Sequence, residues 1–215
     1  MRTEDLIVTL AQESGPWTPL PPVRTRALRW LLLAAGLGAI AVASIGARAD
    51  LRLALQSAPY VWLAAFTLGT GLVAAAGAMT LSVPGAERTP ILRITAVTLA
   101  LAWVFTLALR LAAGGDAWAR LAALPNHWAC VAEIVALSIA SGWVLLAMLR
   151  RAAPLQTRWA AGLATLAAAA FGAAAVQLIC PIDDPAHQIV SHVTTVLALV
   201  VLGTLAGRRA LTIPT

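Results

Sequence analysis

The sequence contains no lysine, and all 15 of its basic residues are arginine. Charge of either sign is scarce: only 11% of the 215 residues are charged, against about 25% in an ordinary soluble domain. Cysteine occurs twice and histidine three times. These shortages exclude several classes. The arginines are scattered at the ends of apolar runs and form no basic stripe, so a direct nucleic-acid role has no support. No Gly-rich phosphate loop, G-x-S-x-G or H-E-x-x-H occurs, so no enzyme is expected. A quinone-linked thiol oxidoreductase needs a C-x-x-C pair or two cysteine pairs, and neither exists here. The lack of C-x-x-C and H-x-x-H argues against a four-ligand structural zinc site. Haem held by facing axial histidines is disfavoured because only His192 falls inside an apolar run.

What the chain does have is apolar surface. It is 60% hydrophobic, with a mean hydropathy of +0.85. A core of this size cannot absorb that much apolar area, and lipid is the solvent that fits. Six runs, at about 27–47, 58–83, 91–111, 127–149, 159–179 and 188–206, have the roughly 20 residues needed to cross about 30 Å of hydrocarbon. Backbone polar groups must be satisfied internally in lipid, so all six are read as helices. The fold class is therefore all-α, a polytopic six-transmembrane-helix bundle spanning 27–207. A segment 1–26 precedes it and a short tail 208–215 follows. Pro84-Gly85, Pro90, Gly114-Gly115, Pro125-Asn126, Pro154, Pro181 and Pro185 punctuate the connections. Trp30, Trp62, Trp118, Trp128, Trp143 and Trp159 lie mostly near span ends, where interfacial rings belong. Spaced glycines in the second and fifth runs, such as Gly71 and Gly172, suit close helix packing.

Arginine sets the expected orientation, because cytoplasmic flanks are richer in it. One face collects Arg2, Arg24, Arg26, Arg29, Arg88, Arg93, Arg150, Arg151, Arg158, Arg208 and Arg209, eleven in all. The other has four: Arg48, Arg52, Arg110 and Arg120. Both termini are expected in the cytoplasm. Ala47-Arg48-Ala49 resembles a signal-peptidase site, but the run before it exceeds the 7–15 residues or so of a signal h-region, so no cleavage is expected.

With this topology, chemistry gathers on the outer face. Residues 178–192 read LICPIDDPAHQIVSH, placing Cys180, Asp183, Asp184, His187 and His192 together. Cys130, at the outer start of the fourth run, reaches the same depth, and His127 stands three residues before it on one helix face. In an oxidising compartment two such thiols make a structural or redox-active disulfide, a metal site with His127, Glu133, Asp183, Asp184, His187 and His192 as candidate supporting ligands, or simple buried packing. Glu133, the sole acid deep in a run, shares the Cys130 face and is expected to pair with His192. That pairing reads either as a buried hydrogen bond or as a proton- or metal-coupled switch. A rival function is a small membrane transporter or ion-handling protein with Glu133 and His192 on its pathway.

The first 26 residues differ. TEDLIVTLAQ puts Leu6, Ile7, Leu10 and Ala11 on one stripe, with Glu4 and Asp5 in the first turn. A proline-rich extended linker follows. A helix this short is marginal alone and suits folding onto a partner. An interfacial anchor on the inner leaflet is the alternative, against which its acids count.

The opening TEDLIVTLA, PPV before the first run, VPGAER after the second, HWACVAEI, RRAAPL and ICPIDDPAHQIVSH together resemble the NrsF-type family of membrane anti-sigma factors, over essentially the whole chain. The resemblance implies a negative regulator that holds an extracytoplasmic-function (ECF) sigma factor at the bacterial inner membrane. It implies Cys130 and Cys180 as sensors of oxidative or heavy-metal stress, with any metal ion transient and no resident cofactor. Residues 1–23, with Leu6, Ile7 and Leu10, become the sigma-binding region. The partners expected are thus a sigma factor and membrane lipid, with no nucleic acid bound directly. No separate soluble anti-sigma domain accompanies these features.

Overall fold

A computed structural model describes residues 2–13, 19–83, 85, 90–122 and 128–211. Residue 1, residues 14–18, Pro84, residues 86–89 with Arg88, residues 123–127 with His127, and residues 212–215 lie outside the described residues.

The described elements are helical. α1 is Thr3–Glu13, α2 Val23–Ile45, α3 Leu51–Ala54, α4 Ala58–Thr80 and α5 Ile91–Ala113. α6 is Ala117–Ala122, α7 Trp128–Arg150, α8 Thr157–Gln177 and α9 Pro185–His187. A π-helical turn, Gln188–Val193, follows α9 without a break and leads into α10, Thr194–Leu211. Six stretches are long and apolar enough to cross a membrane: α2, α4, α5, α7, α8 and Pro185–Gly207. At about 1.5 Å per residue, 23 residues give about 34 Å, enough for the hydrocarbon core. Leu32, Ile40, Leu101, Phe105, Leu202 and Leu205 all stand exposed on the outer surface of the bundle. Such a surface needs lipid around it, and the protein is a multi-pass membrane protein.

Element ends follow local chemistry. α2 begins at Val23, four residues ahead of the expected start, because Pro22 occupies its N-cap. It ends where Gly46 takes φ 104°, a conformation that suits glycine. α4 carries a proline in its first turn and stops at Thr80, short of the expected 83.

α8 is the hub. Its alanines and Gly172 are buried along nearly its full length, and α2, α4, α7 and α10 all pack against it. Small residues permit this approach. A Cβ on Gly172 would lie 3.1 Å from the Ile134 carbonyl oxygen of α7, and one on Gly71 of α4 would lie 2.7 Å from the Phe171 ring. Trp30 departs from the expected interfacial role. It is buried, donates Nε1–H to the Ser141 carbonyl at 2.9 Å and meets the Phe171 ring edge-on at 5.2 Å. The indole thus ties α2 to α7 and α8. Trp62, Trp128, Trp143 and Trp159 are exposed, as a lipid-facing or interfacial ring should be.

The spans alternate in direction, and polar side chains mark the two ends. At one end Arg26 donates to Ser82 at 2.9 Å and Arg93 donates to Gln156 at 2.6 Å. At the other, Arg48 meets Asp183 and Arg120 meets Asp184. α1 precedes the first of these ends in the chain.

Candidate thiol and imidazole site

The second end holds the chemistry. Cys130 is the third residue of α7. Cys180 follows α8, where its N–H donates to the Val176 carbonyl at 2.7 Å. His187 closes α9, and His192 lies in the π turn. One ligand atom from each of Cys130, Cys180, His187 and His192 lies within 4.8 Å of every other. Both cysteines are free thiols; Cys130 is half-buried and Cys180 is buried. Both imidazoles are fully buried.

The π turn makes this convergence. Residues five apart on an α-helix stand about 140° apart, being five steps of about 100°. A π turn bonds i to i+5 and brings such residues onto one side, as when the Thr194 N–H donates to the Ile189 carbonyl. His187 and His192 therefore face each other, ring centroids 5.8 Å apart. The missing C-x-x-C and H-x-x-H spacings argued against a four-ligand site. The structure brings four such groups together from three segments, through equal helix depth and one wide turn.

The hydrogen bonding is uneven. Nε2 of His187 lies 3.4 Å from the Cys180 sulfur, and its Nδ1 lies 3.5 Å from the Ser191 hydroxyl, which orients the ring. Neither nitrogen of His192 has a hydrogen-bond partner. An unsatisfied buried polar group costs about 1–3 kcal/mol, so this ring is held where it does not pay for itself by hydrogen bonding. The Cys130 thiol, ahead of the two imidazoles, favours a thiolate at Cys180 and draws its pKa down, while burial pushes the other way.

Two sequence expectations change here. Glu133 is half-buried on α7 and does not hydrogen-bond His192, whose ring turns instead toward His187 and the sulfurs. Asp183 and Asp184, read as supporting ligands, stand apart from the cluster because arginines hold them. Arg48, its side chain almost wholly buried, donates from Nη1 and Nη2 to Asp183, each at 2.7 Å, and from Nε and Nη2 to Asp50 at 2.7 and 2.8 Å. Its backbone N–H donates to the Leu178 carbonyl at 3.0 Å, and its guanidinium lies 5.3 Å from the Tyr60 ring centre. The two carboxylates hold the guanidinium protonated more firmly than usual, and Arg48 in turn keeps the Asp50 carboxyl below its ordinary range. Asp184 caps α9, accepting from the Ala186 N–H at 2.7 Å, and pairs with Arg120. Burial opposes its ionisation, but Arg120 and the backbone N–H groups outweigh it and keep its carboxyl below the usual range. His127, the other expected ligand, lies outside the described residues.

Arg48 and Arg120 are the residues beside the site that the sequence reading passed over. They counted only as two of four outward arginines. The available signal was charge complementarity: two adjacent acids between Pro181 and Pro185 share that face with few bases.

α1 has a different character. Among its described side chains all are exposed, including Leu6, Ile7 and Leu10. Its start is fastened by the Arg2 N–H donating to Asp5 at 3.2 Å. An apolar stripe is thus left open on a short helix.

No curated protein and no solved structure matches the chain. The profile of the NrsF family, negative regulators of sigma F, matches residues 10–212. That match takes in all six spans and the thiol and imidazole cluster, and it names a regulator of a sigma factor and not a catalyst. The chain belongs to the NrsF family.

Proposed function

We propose that this protein holds an ECF sigma factor at the inner face of a bacterial cytoplasmic membrane and releases it when oxidant or heavy-metal stress acts on Cys130 and Cys180. The observation that carries the reading is the meeting of the only two thiols in the chain with His187 and His192 at one end of the bundle. The arginine imbalance of eleven against four supports an outward position for that end, with both termini inside. On this reading residues 1–26 form the cytoplasmic segment and Leu6, Ile7 and Leu10 of α1 engage the sigma factor. Residues 27–207 form the transmembrane sensor, and 208–215 a short inner tail.

Release requires two helix arrangements that the stimulus distinguishes energetically. The thiols join α7 to the loop after α8, and the imidazoles join both to the start of α10. α2, α4, α7 and α10 all pack against α8, so a change in how α7 and α10 sit on it reaches the opposite end. The rival transport reading places Glu133 and His192 on one pathway, and it has less support because no hydrogen bond joins them among the described residues.

The test is co-purification from membranes with a co-expressed ECF sigma factor. Full-length protein should retain the sigma factor, and a deletion of residues 2–23 should lose it. Retention by neither form overturns the anti-sigma reading. Normal induction under stress in cells carrying Cys130→Ser and Cys180→Ser overturns the sensing reading alone.

A further inference from the structure

We infer that Cys130, Cys180, His187 and His192 together form a closed four-ligand site for one soft divalent cation of the zinc or cadmium class. The inference rests on the reading of the two cysteines as sensing groups. It deepens that reading by naming the whole ligand set, the class of ion and the motion that capture produces.

Three observations carry it. The four ligand atoms already lie within 4.8 Å of one another. A tetrahedral site with metal–sulfur bonds of about 2.3 Å and metal–nitrogen bonds of about 2.0 Å has edges of about 3.3–3.8 Å. The 3.4 Å between Cys180 Sγ and His187 Nε2 is already such an edge. Second, His192 is fully buried with both ring nitrogens unpartnered. A ligand bond to one nitrogen relieves that deficit. Third, His187 is oriented from behind, since the Ser191 hydroxyl lies against its Nδ1 and leaves Nε2 directed at Cys180. Ligating histidines are ordinarily steadied through their second nitrogen in this way.

The donor set selects the ion. Two thiolates and two imidazoles suit soft and borderline metals, while calcium and magnesium require oxygen. Asp183 and Asp184 are held by Arg48 and Arg120. Two thiolates neutralise a divalent charge, which permits burial of the ion. Each thiol gives up its proton to solvent as its sulfur binds, and nothing is oxidised or reduced.

Capture has a mechanical consequence. Ligand atoms up to 4.8 Å apart must close to about 3.3–3.8 Å. The segments that carry the four ligands are drawn together by up to about 1–1.5 Å. Cys130, the one ligand that is not fully buried, is the point of entry.

The experiment uses the full chain, purified in detergent under reducing conditions and titrated with Co²⁺ as the probe, then back-titrated with Zn²⁺. The expected result is one Co²⁺ per chain, with thiolate charge-transfer absorption and the intense visible bands of a tetrahedral site, all displaced by Zn²⁺. X-ray absorption of the zinc-loaded protein should give a first shell of two sulfur and two nitrogen atoms. His192→Ala should weaken Co²⁺ binding at least about tenfold, the scale seen on disturbing metal-site residues. No stoichiometric binding overturns the inference, as does a shell without two nitrogens, or His192→Ala binding as tightly as the parent. If His192→Ala fails to fold, the absorption shell of the parent protein decides. Sigma retention by the same preparations separates the two readings. Retention without metal binding removes only this site, whereas metal binding without retention removes the anti-sigma reading and leaves the site.

Discussion

Arg48 grips Asp183 through two hydrogen bonds of 2.7 Å each, across 135 positions of sequence. The guanidinium is buried and the carboxylate half-exposed, so the pair fastens the segment after α8 to the segment after α2 at the mouth of the bundle. Cys180 stands three residues before that carboxylate and His187 four after it. The clamp therefore sets where the thiol and imidazole loop lies.

Replacing Arg48 by Gln should loosen this loop. Charge-assisted hydrogen bonds contribute about 1.5–3 kcal/mol, and the exposed half of the pair reduces that toward the lower figure. Arg48→Lys should recover little, because a single ammonium cannot make the paired contacts of a guanidinium. Thermal unfolding in detergent checks the first claim. Faster modification of Cys180 by a maleimide checks that the loop has been freed.

The Arg120–Asp184 pair makes a pH prediction. The Asp184 carboxyl lies below its usual range in the folded protein, so its stabilising effect is complete above the unfolded pKa of about 3.9. That effect is lost as pH falls from there through the lower folded value. The melting temperature of the wild type should drop more steeply below about pH 4 than that of Asp184→Asn, which has no carboxyl at this position to titrate. Parallel acid limbs for the two proteins would refute the assignment.

Cys130 and Cys180 are close enough to join. A mild thiol oxidant should take two electrons and two protons from the pair and form one intramolecular bond. Both thiols should then be protected from a mass-adding maleimide, and a reductant should restore them. Cys180→Ala should leave Cys130 reactive under the same oxidant. Gel mobility after labelling reads the result, and dimers without intramolecular protection would contradict the geometry.

Gly172 tests the hub. Its missing Cβ allows α7 to approach, with the Ile134 carbonyl oxygen and the Ser138 hydroxyl each 3.1 Å from where a Cβ would stand. Gly172→Leu should separate α7 from α8 and destabilise the bundle by about 1–3 kcal/mol, the scale of overpacking. The effect should appear as a lowered melting temperature.

The apolar stripe of α1 tests the proposed sigma contact. Ile7→Asp with Leu10→Asp should weaken sigma retention at least tenfold, about 1.4 kcal/mol, measured by co-purification. The melting temperature of the bundle should not move, because those side chains are exposed. A lower melting temperature without loss of the sigma factor would place the stripe inside the fold instead.

Much of the architecture was legible because it depends on one-dimensional quantities. The apolar runs gave six spans to within a few residues at most ends, and α1 ran as a short amphipathic helix. The equal depth of Cys130 and Cys180 followed from counting along two spans. Ends moved where proline and glycine acted locally, as at Pro22 and Gly46. Trp30 was misplaced because proximity to a span end does not say whether a ring faces lipid or a neighbouring helix.

The sequence by itself determined that this chain lives in lipid, has six stretches long and apolar enough to cross it and gathers Cys130, Cys180, His187 and His192 at one end. A run of about 20 apolar residues has no other solvent that suits it, and depth along a helix is fixed by counting. Only the tertiary structure decided which of those groups meet. That Arg48 takes Asp183, that Arg120 takes Asp184, and that His192 joins the sulfurs and not Glu133 depends on how the helices are arranged and rotated around α8. One π turn sets the direction of His192, and hydropathy carries no information about direction around a helix axis. The packing of small residues and the wide turn decide it.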